Sequence, residues 1–292
     1  MPTLLKTWLQ GACGLSLPPH APRAPIAFFA ALNALAFSPL ALAQPADDDA
    51  WHFSVGIGAA SQPKFPGSSE TRLDAIPTFS ASKGRLHLGA LPGAGASLGV
   101  GYTVLEEGPW RLGVGVGTSL EKPRVANDSA TLMGLGDIEQ TTLGTVSGSY
   151  AFGAATASAT LIGDIGGHQQ GKQALLDIAF KARPMDKWLV SAGPGITLMD
   201  QQYAQTYYGV TAAQSVISGA PVFNASAGVS ALRFGAGAEY ELTREWRLGA
   251  RYSASKLQGD ATTSPMAEKD TQTSFGLFAN YRFELQHTKG EN

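Results

Sequence analysis

Between Glu245 and Phe283 the apolar residues recur at every second position, and that period decides what this chain can fold into. Trp246, Leu248, Ala250, Tyr252 and Ala254 alternate with Arg247, Gly249, Arg251, Ser253 and Ser255. Beyond a polar loop, Phe275, Leu277, Ala279, Tyr281 and Phe283 alternate with Ser274, Gly276, Phe278, Asn280 and Arg282. Period two is the mark of a β-strand with two unlike faces. Segments of about ten alternating residues with aromatics at their ends are the pattern of a transmembrane barrel strand.

The same opening recurs upstream. Trp51, Trp110, Trp188 and Trp246 each begin such a segment, and they are all the tryptophans beyond residue 43. Three follow short turns: E-E-G-P, R-P-M-D-K and T-R-E. One tryptophan alone would suit the core of a soluble sandwich. Four in the same register fit a belt at the membrane–water interface, where an amphipathic indole is favoured.

Residues 1–43 read as a removable secretory signal. Lys6 and Arg23 precede an apolar run, Ile26 to Leu42, which ends in Ala41-Leu42-Ala43. Asn33, Ser38 and Pro39 break that run, so it does not make a spanning helix. The Leu9 to Cys13 stretch resembles a lipid-attachment site but lacks the apolar run such a site needs. Cleavage after Ala43 removes Lys6, Arg23 and no acid, so the formal charge goes from −2 to −4. A basic nucleic-acid footprint is therefore absent. The single cysteine, Cys13, also leaves, which suits an oxidising compartment.

Residues 44–50 form an acidic periplasmic leader around Asp47-Asp48-Asp49, and 51–283 read as an all-β, antiparallel, up-and-down transmembrane barrel. The pattern predicts twelve strands, near 51–60, 72–82, 85–90, 98–104, 110–120, 138–152, 155–164 and 172–182, then from Trp188, up to Leu242, and the final pair. One missed hairpin would make it ten or fourteen. Strands 6 and 7 carry the weakest pattern. With both ends in the periplasm, the turns after strands 2, 4, 8 and 10 are short. The long connections after strands 5, 9 and 11, the longest being 200–224, fall outside. Short periplasmic turns and long external loops are the expected asymmetry.

Chemistry is sparse. Gly113, Gly115 and Gly117 lack the following helix of a dinucleotide loop, so they read as space for neighbouring side chains in a narrow barrel. His52 and His87 face inward and His168 lies in a loop, but no nucleophile elbow or metal-ligand pattern accompanies them. No cofactor pattern is present and no enzyme is expected. The inward charges Arg111, Asp177, Lys181, Glu239, Glu241, Arg247, Arg251 and Arg282 have both signs, as either an ion-paired plug or the lining of a narrow pore requires. Tyr203, Tyr207, Tyr208 and Phe223 make the longest loop a candidate external contact surface, or else a loop folded back onto the barrel mouth.

Four stretches carry a resemblance. Phe65 to Pro77 (F-P-G-S-S-E-T-R-L-D-A-I-P), Tyr207 to Phe223, Leu257 to Met266 (L-Q-G-D-A-T-T-S-P-M) and the closing Tyr281-Arg282-Phe283 resemble the MltA-interacting protein family, MipA/OmpV. The resemblance implies an outer-membrane barrel of a Gram-negative bacterium, seated in outer-membrane lipid. It also implies a scaffold role between a lytic murein transglycosylase and a murein synthase, with no catalytic residue carried over. The alternative is a narrow channel for small solutes. Nine residues, Glu284 to Asn292, follow the terminal aromatic as a tail, a departure from barrel signals that usually end there.

Overall fold

The computed structural model describes residues 50–94, 97–120 and 123–285. The expected signal peptide with Cys13, the leader as far as Asp49 and the tail from Gln286 onward lie outside the described residues. The strands are β1 (Trp51–Pro63), β2 (Thr71–Lys83), β3 (Leu86–Gly89), β4 (Ser97–Glu107), β5 (Trp110–Ser119) and β6 (Thr142–Phe152). They continue as β7 (Ala155–Asp164), β8 (Lys172–Ala182), β9 (Trp188–Met199), β10 (Gly228–Glu241), β11 (Trp246–Leu257) and β12 (Thr271–Leu285). Each pairs antiparallel with its sequence neighbours, and β12 closes on β1. The result is a closed barrel of twelve strands, the expected number. No helix among the described residues is long and apolar enough to cross a membrane; strands do the crossing.

The alternation decides which side of each strand meets lipid. On β5, Leu112, Val114 and Val116 are 39%, 45% and 46% exposed, while Gly113, Gly115 and Gly117 face the lumen. Ile57, Leu98, Val100, Phe180, Phe234 and Leu277 extend the exposed apolar band around the wall. In water so large an apolar surface would drive association; in a bilayer it is the contact surface. Closure pairs every strand edge, as hydrocarbon demands.

Three departures from the sequence pattern have physical causes. β6 starts at Thr142, four residues later than expected, because Ile138 makes only an isolated bridge to Arg124 and is buried in the mouth. The loop after β9 holds two helices, α1 (Gln201–Tyr208) and α2 (Ala212–Ser218), and a short α3 (Asp260–Thr263) follows β11. β12 runs two residues past Phe283, pairing Glu284 with His52 and Leu285 with Trp51.

Candidate functional site

The four tryptophans open β1, β5, β9 and β11, all at the end of the barrel where the connections are short. Each indole meets an aromatic ring: Trp51 with Phe53 at 5.9 Å, Trp110 with Tyr150 at 4.7 Å, Trp188 with Tyr240 at 5.1 Å and Trp246 with Tyr281 at 5.2 Å between centroids. Such pairs stiffen the strand ends beyond the area they bury.

The eight lumen charges singled out from the sequence all lie on inward positions, and most are paired. Arg111 bonds Glu106, Asp177 meets Arg233 at 2.8 Å, and Arg282 meets Glu241 at 3.4 Å. Glu239 is shared, at 3.2 Å each, by Arg247 and Arg251. Arg72, Asp74, Glu106 and Arg233 were not anticipated. A bulge between Thr103 and Leu105 explains Glu106: Val104 and Leu105 both face outward, and the next residue flips into the lumen. Arg233 faces inward on β10 between the outward Leu232 and Phe234, in step with Gly235, so the alternation itself places it in the lumen.

The connection after β3 turns into the lumen. Leu91, 5% exposed, packs over an inner floor of glycines, and a Cβ built on Gly99 or Gly115 would lie 2.8 or 2.9 Å from its methyl groups. Its neighbour Gly93 lies against Thr160 of β7 and Leu175 of β8. The glycine run in β5 therefore makes room for a named side chain, and the loop narrows the bore.

The long connections close the other end. Phe65 from the β1–β2 loop, Leu132 and Leu135 from β5–β6, Val210 from β9–β10 and Met266 from β11–β12 form one buried cluster. A second joins Tyr203, Ala204 and Tyr208 of α1 to Met199, Ala231, Leu257 and Ala261. The β5–β6 and β11–β12 loops spring from opposite sides of a twelve-stranded ring, so the plug spans the mouth. Glu268 pins it: the carboxylate accepts from Ser69 N at 2.9 Å, Ser69 Oγ and Thr131 Oγ1 at 2.6 Å, and the Ser129 hydroxyl. Burial alone would raise its pKa, but the Ser129, Ser69 and Thr131 bonds outweigh that and hold it at about 2.

The tyrosines of the longest loop belong to this plug and do not form an outward contact face. Tyr203 and Tyr208 are buried, Tyr203 stacks on Tyr207 at 4.0 Å, and Phe223 is partly buried against both clusters. Burial raises the pKa of all three hydroxyls. Among the outward apolar residues of the loop are Val216 and Ile217 on α2, 87% and 74% exposed. Their signal was the capping box Thr211-x-x-Gln214, which starts a helix and so sets which side chains face water.

At the short-turn end the arrangement is the reverse. Every residue of the five turns, 84–85, 108–109, 153–154, 183–187 and 242–245, is exposed. None of them folds over the opening.

The histidines have structural partners. His52 faces Glu284 at 3.2 Å, His87 lies 2.9 Å from Thr103 Oγ1, and His168 lies 3.1 Å from Thr141 Oγ1. Thr141 donates its proton to Asp164, so that hydroxyl is not aimed at the imidazole as a nucleophile would be. Among the described residues no cluster of His, Cys, Asp and Glu has metal-site geometry.

Solved barrels resemble the chain only distantly. OmpT of Vibrio cholerae is 10% identical over 80% of this chain and 98% of its own, with a TM-score of 0.35. An anion-selective porin from Comamonas acidovorans is 14% identical over 80% and 98%, with a TM-score of 0.37. A Pseudomonas aeruginosa FadL homologue is 10% identical over 81% and 91%, with a TM-score of 0.39. No curated protein matches by sequence. Residues 55–283, nearly the whole barrel, match the sequence profile described as MltA-interacting protein MipA. The chain belongs to the MltA-interacting protein MipA family, as a twelve-stranded barrel of the Gram-negative outer membrane.

Proposed function

We propose that the protein is a non-enzymatic scaffold that holds a murein-processing enzyme at the periplasmic end of the barrel. The observation that carries this reading is the contrast between the two ends: loops from opposite walls interlock over the outer mouth, whereas all five periplasmic turns stand exposed. A barrel built this way offers a rigid platform to the wall side. The family's description names an interaction with MltA, and the resemblance gives that partner's class as a lytic murein transglycosylase, with a murein synthase as the second partner. The turn 183–187 is the longest of the five, and its Met185, between Pro184 and Asp186, is 62% exposed.

The test is crosslinking of tagged protein in intact envelopes. A murein transglycosylase or synthase should be recovered, and replacing Pro184-Met185-Asp186 with Gly and Ser should abolish recovery while the barrel still inserts. Recovery of neither enzyme from an inserted barrel would discard the scaffold. A second reading, a narrow channel for small solutes, draws on the polar lumen. It requires steady current across planar bilayers that is lost on changing Arg247 and Arg251. Turnover of lipid or ester lost in His87→Ala would overturn the non-enzymatic assignment.

A further inference from the structure

Closure pairs every strand edge, but at β3 not along its full length. β3 has four residues, between thirteen on β2 and eleven on β4. It covers Ser80 to Lys83 of β2 and Gly99 to Tyr102 of β4. Toward the mouth, β2 continues as Thr71 to Phe79, tied there to β1 alone by an unbroken ladder. The chain leaves the wall at Gly89, whose φ of +138° suits glycine, and a Cβ there would lie 2.8 Å from Phe79 O. Ala90 is exposed, and Leu91 is already buried inside the barrel.

Strand parity shows what this leaves open. Thr103 N donates to Arg85 O, so the odd-numbered residues of β3 bond toward β4 and the even-numbered ones toward β2. The partners of Leu86 and Leu88 on β2 are Lys83 and Ala81, so Phe79, Pro77, Ala75 and Leu73 turn their backbone groups to that same side. Among the described residues, Pro77, Ala75 and Leu73 meet no backbone partner there. Pro77 agrees with this, because proline has no N–H to give a ladder and sits on unpaired edges. The side chains of this edge face lipid, with Leu73 76% and Phe79 47% exposed, and Leu98 across the notch on β4 is 48% exposed.

Pro77 pairs with Ile57 and Leu73 with Ser61, six and ten positions above Trp51. At about 3.3 Å per residue and a tilt of about 40°, the free edge lies about 15–25 Å above the tryptophan belt, in the outer half of the hydrocarbon band. An open sheet edge is tolerated at that depth only where it lines a polar cavity. The lumen behind it is polar: Thr78 Oγ1 bonds Asn280 Oδ1 at 2.7 Å, and Asp74 accepts from Gln62 and Arg72 at 2.9 Å each. The notch therefore joins a polar interior to lipid across an apolar rim. It is one strand wide, about 10 Å from β2 to β4, which admits a single chain and no folded partner. A second barrel would have to break its own wall to lend a strand.

We propose that this notch is a lateral portal by which a single-chain amphiphile, a fatty acid or a lysophospholipid, passes its head from the outer leaflet into the lumen while its chain stays on the rim. The free N–H groups of Leu73 and Ala75 are donors for the carboxylate or phosphate oxygens of such a head. The portal is independent of any partner at the periplasmic turns.

The test is photo-labelling of the barrel in phospholipid nanodiscs with palmitic acid and with lysophosphatidylcholine, each carrying a diazirine beside the head group, followed by peptide mapping. At least one probe should label the inward Ile76 and Thr78 as well as the outward wall. Inward label from the acid alone assigns a fatty-acid portal and from the lysolipid alone a lysophospholipid portal; each supports the proposal. Ala90→Trp, at the lower lip, should cut inward labelling several-fold and leave Val114 and Val116 on the lipid face labelled as before. Should that variant fail to fold, judged by gel migration before and after boiling, Ala90→Phe carries the same expectation. Label confined to outward residues would overturn the portal, as would inward label that the Ala90 variant does not reduce, since such lipid enters from the periplasmic end. Oxidation that links Leu73→Cys barrels into dimers would give the edge to a second copy and overturn it as well.

Discussion

At the scale of single residues, Glu268 carries the sharpest prediction. Its carboxylate collects four donors from two other loops, and its own backbone N–H donates to Gly67 O at 2.8 Å. Glu268→Gln removes the charge and presents an N–H where an acceptor is needed, at a cost of about 1–2 kcal/mol once solvent screening is allowed for. Limited proteolysis should cut the external loops several-fold faster, with barrel migration on gels unchanged. The pH dependence follows from the sign of the shift. A carboxylate held at about 2 stabilises the folded loops above its ordinary value near 4.5, and that contribution is lost as pH falls from there through about 2. Loop cleavage by an acid-tolerant protease should therefore rise steeply over that interval in the parent and stay flat in Glu268→Gln. None of this was legible in the sequence, because the donors Ser69, Ser129 and Thr131 lie more than a hundred positions away. The inward charges were legible, because period two assigns every residue of a regular strand to a face. That reading stopped at the bulge that turned Glu106 inward, whereas Arg233, in step with Gly235 on β10, lay within its reach.

Among the elements, the strands followed from alternation, and strands 7 and 8 have their expected bounds to the residue. The loop helices did not, although Asp200 and the Thr211-x-x-Gln214 box are ordinary helix starts. An apolar count over 200–224 shows no long amphipathic stripe, so short capped helices pass for loop. The inward connection after β3 was invisible for a different reason. Pro92-Gly93 announces a turn, but only the missing side chains of Gly99 and Gly115, two strands' worth of register away, tell it to turn inward. Leu91→Ala should destabilise the barrel by about 2–3 kcal/mol, as expected for a buried leucine. Urea titration followed by the unboiled gel band measures it, and a cost below about 0.5 kcal/mol would show that the loop is not seated.

For the molecule as a whole, the prediction concerns which part yields first. Leu132 is fully buried in the mouth cluster, and an ionised side chain there costs several kcal/mol. The strands are tied by continuous ladders and hydrocarbon, the plug by side-chain packing and scattered hydrogen bonds between loops, so the plug should give way. Leu132→Asp is expected to conduct in planar bilayers where the parent is silent, with both still migrating as folded barrels before boiling. A silent variant would assign the seal to the inward loop instead. The interlocked mouth also has an immunological consequence. Because four loops contribute to one buried cluster, the exposed surface is assembled from segments distant in sequence, and a linear peptide copied from any one loop lacks its neighbours. Antibodies raised against such peptides should recognise denatured protein and bind intact cells poorly, whereas those raised against folded barrel should behave the other way round.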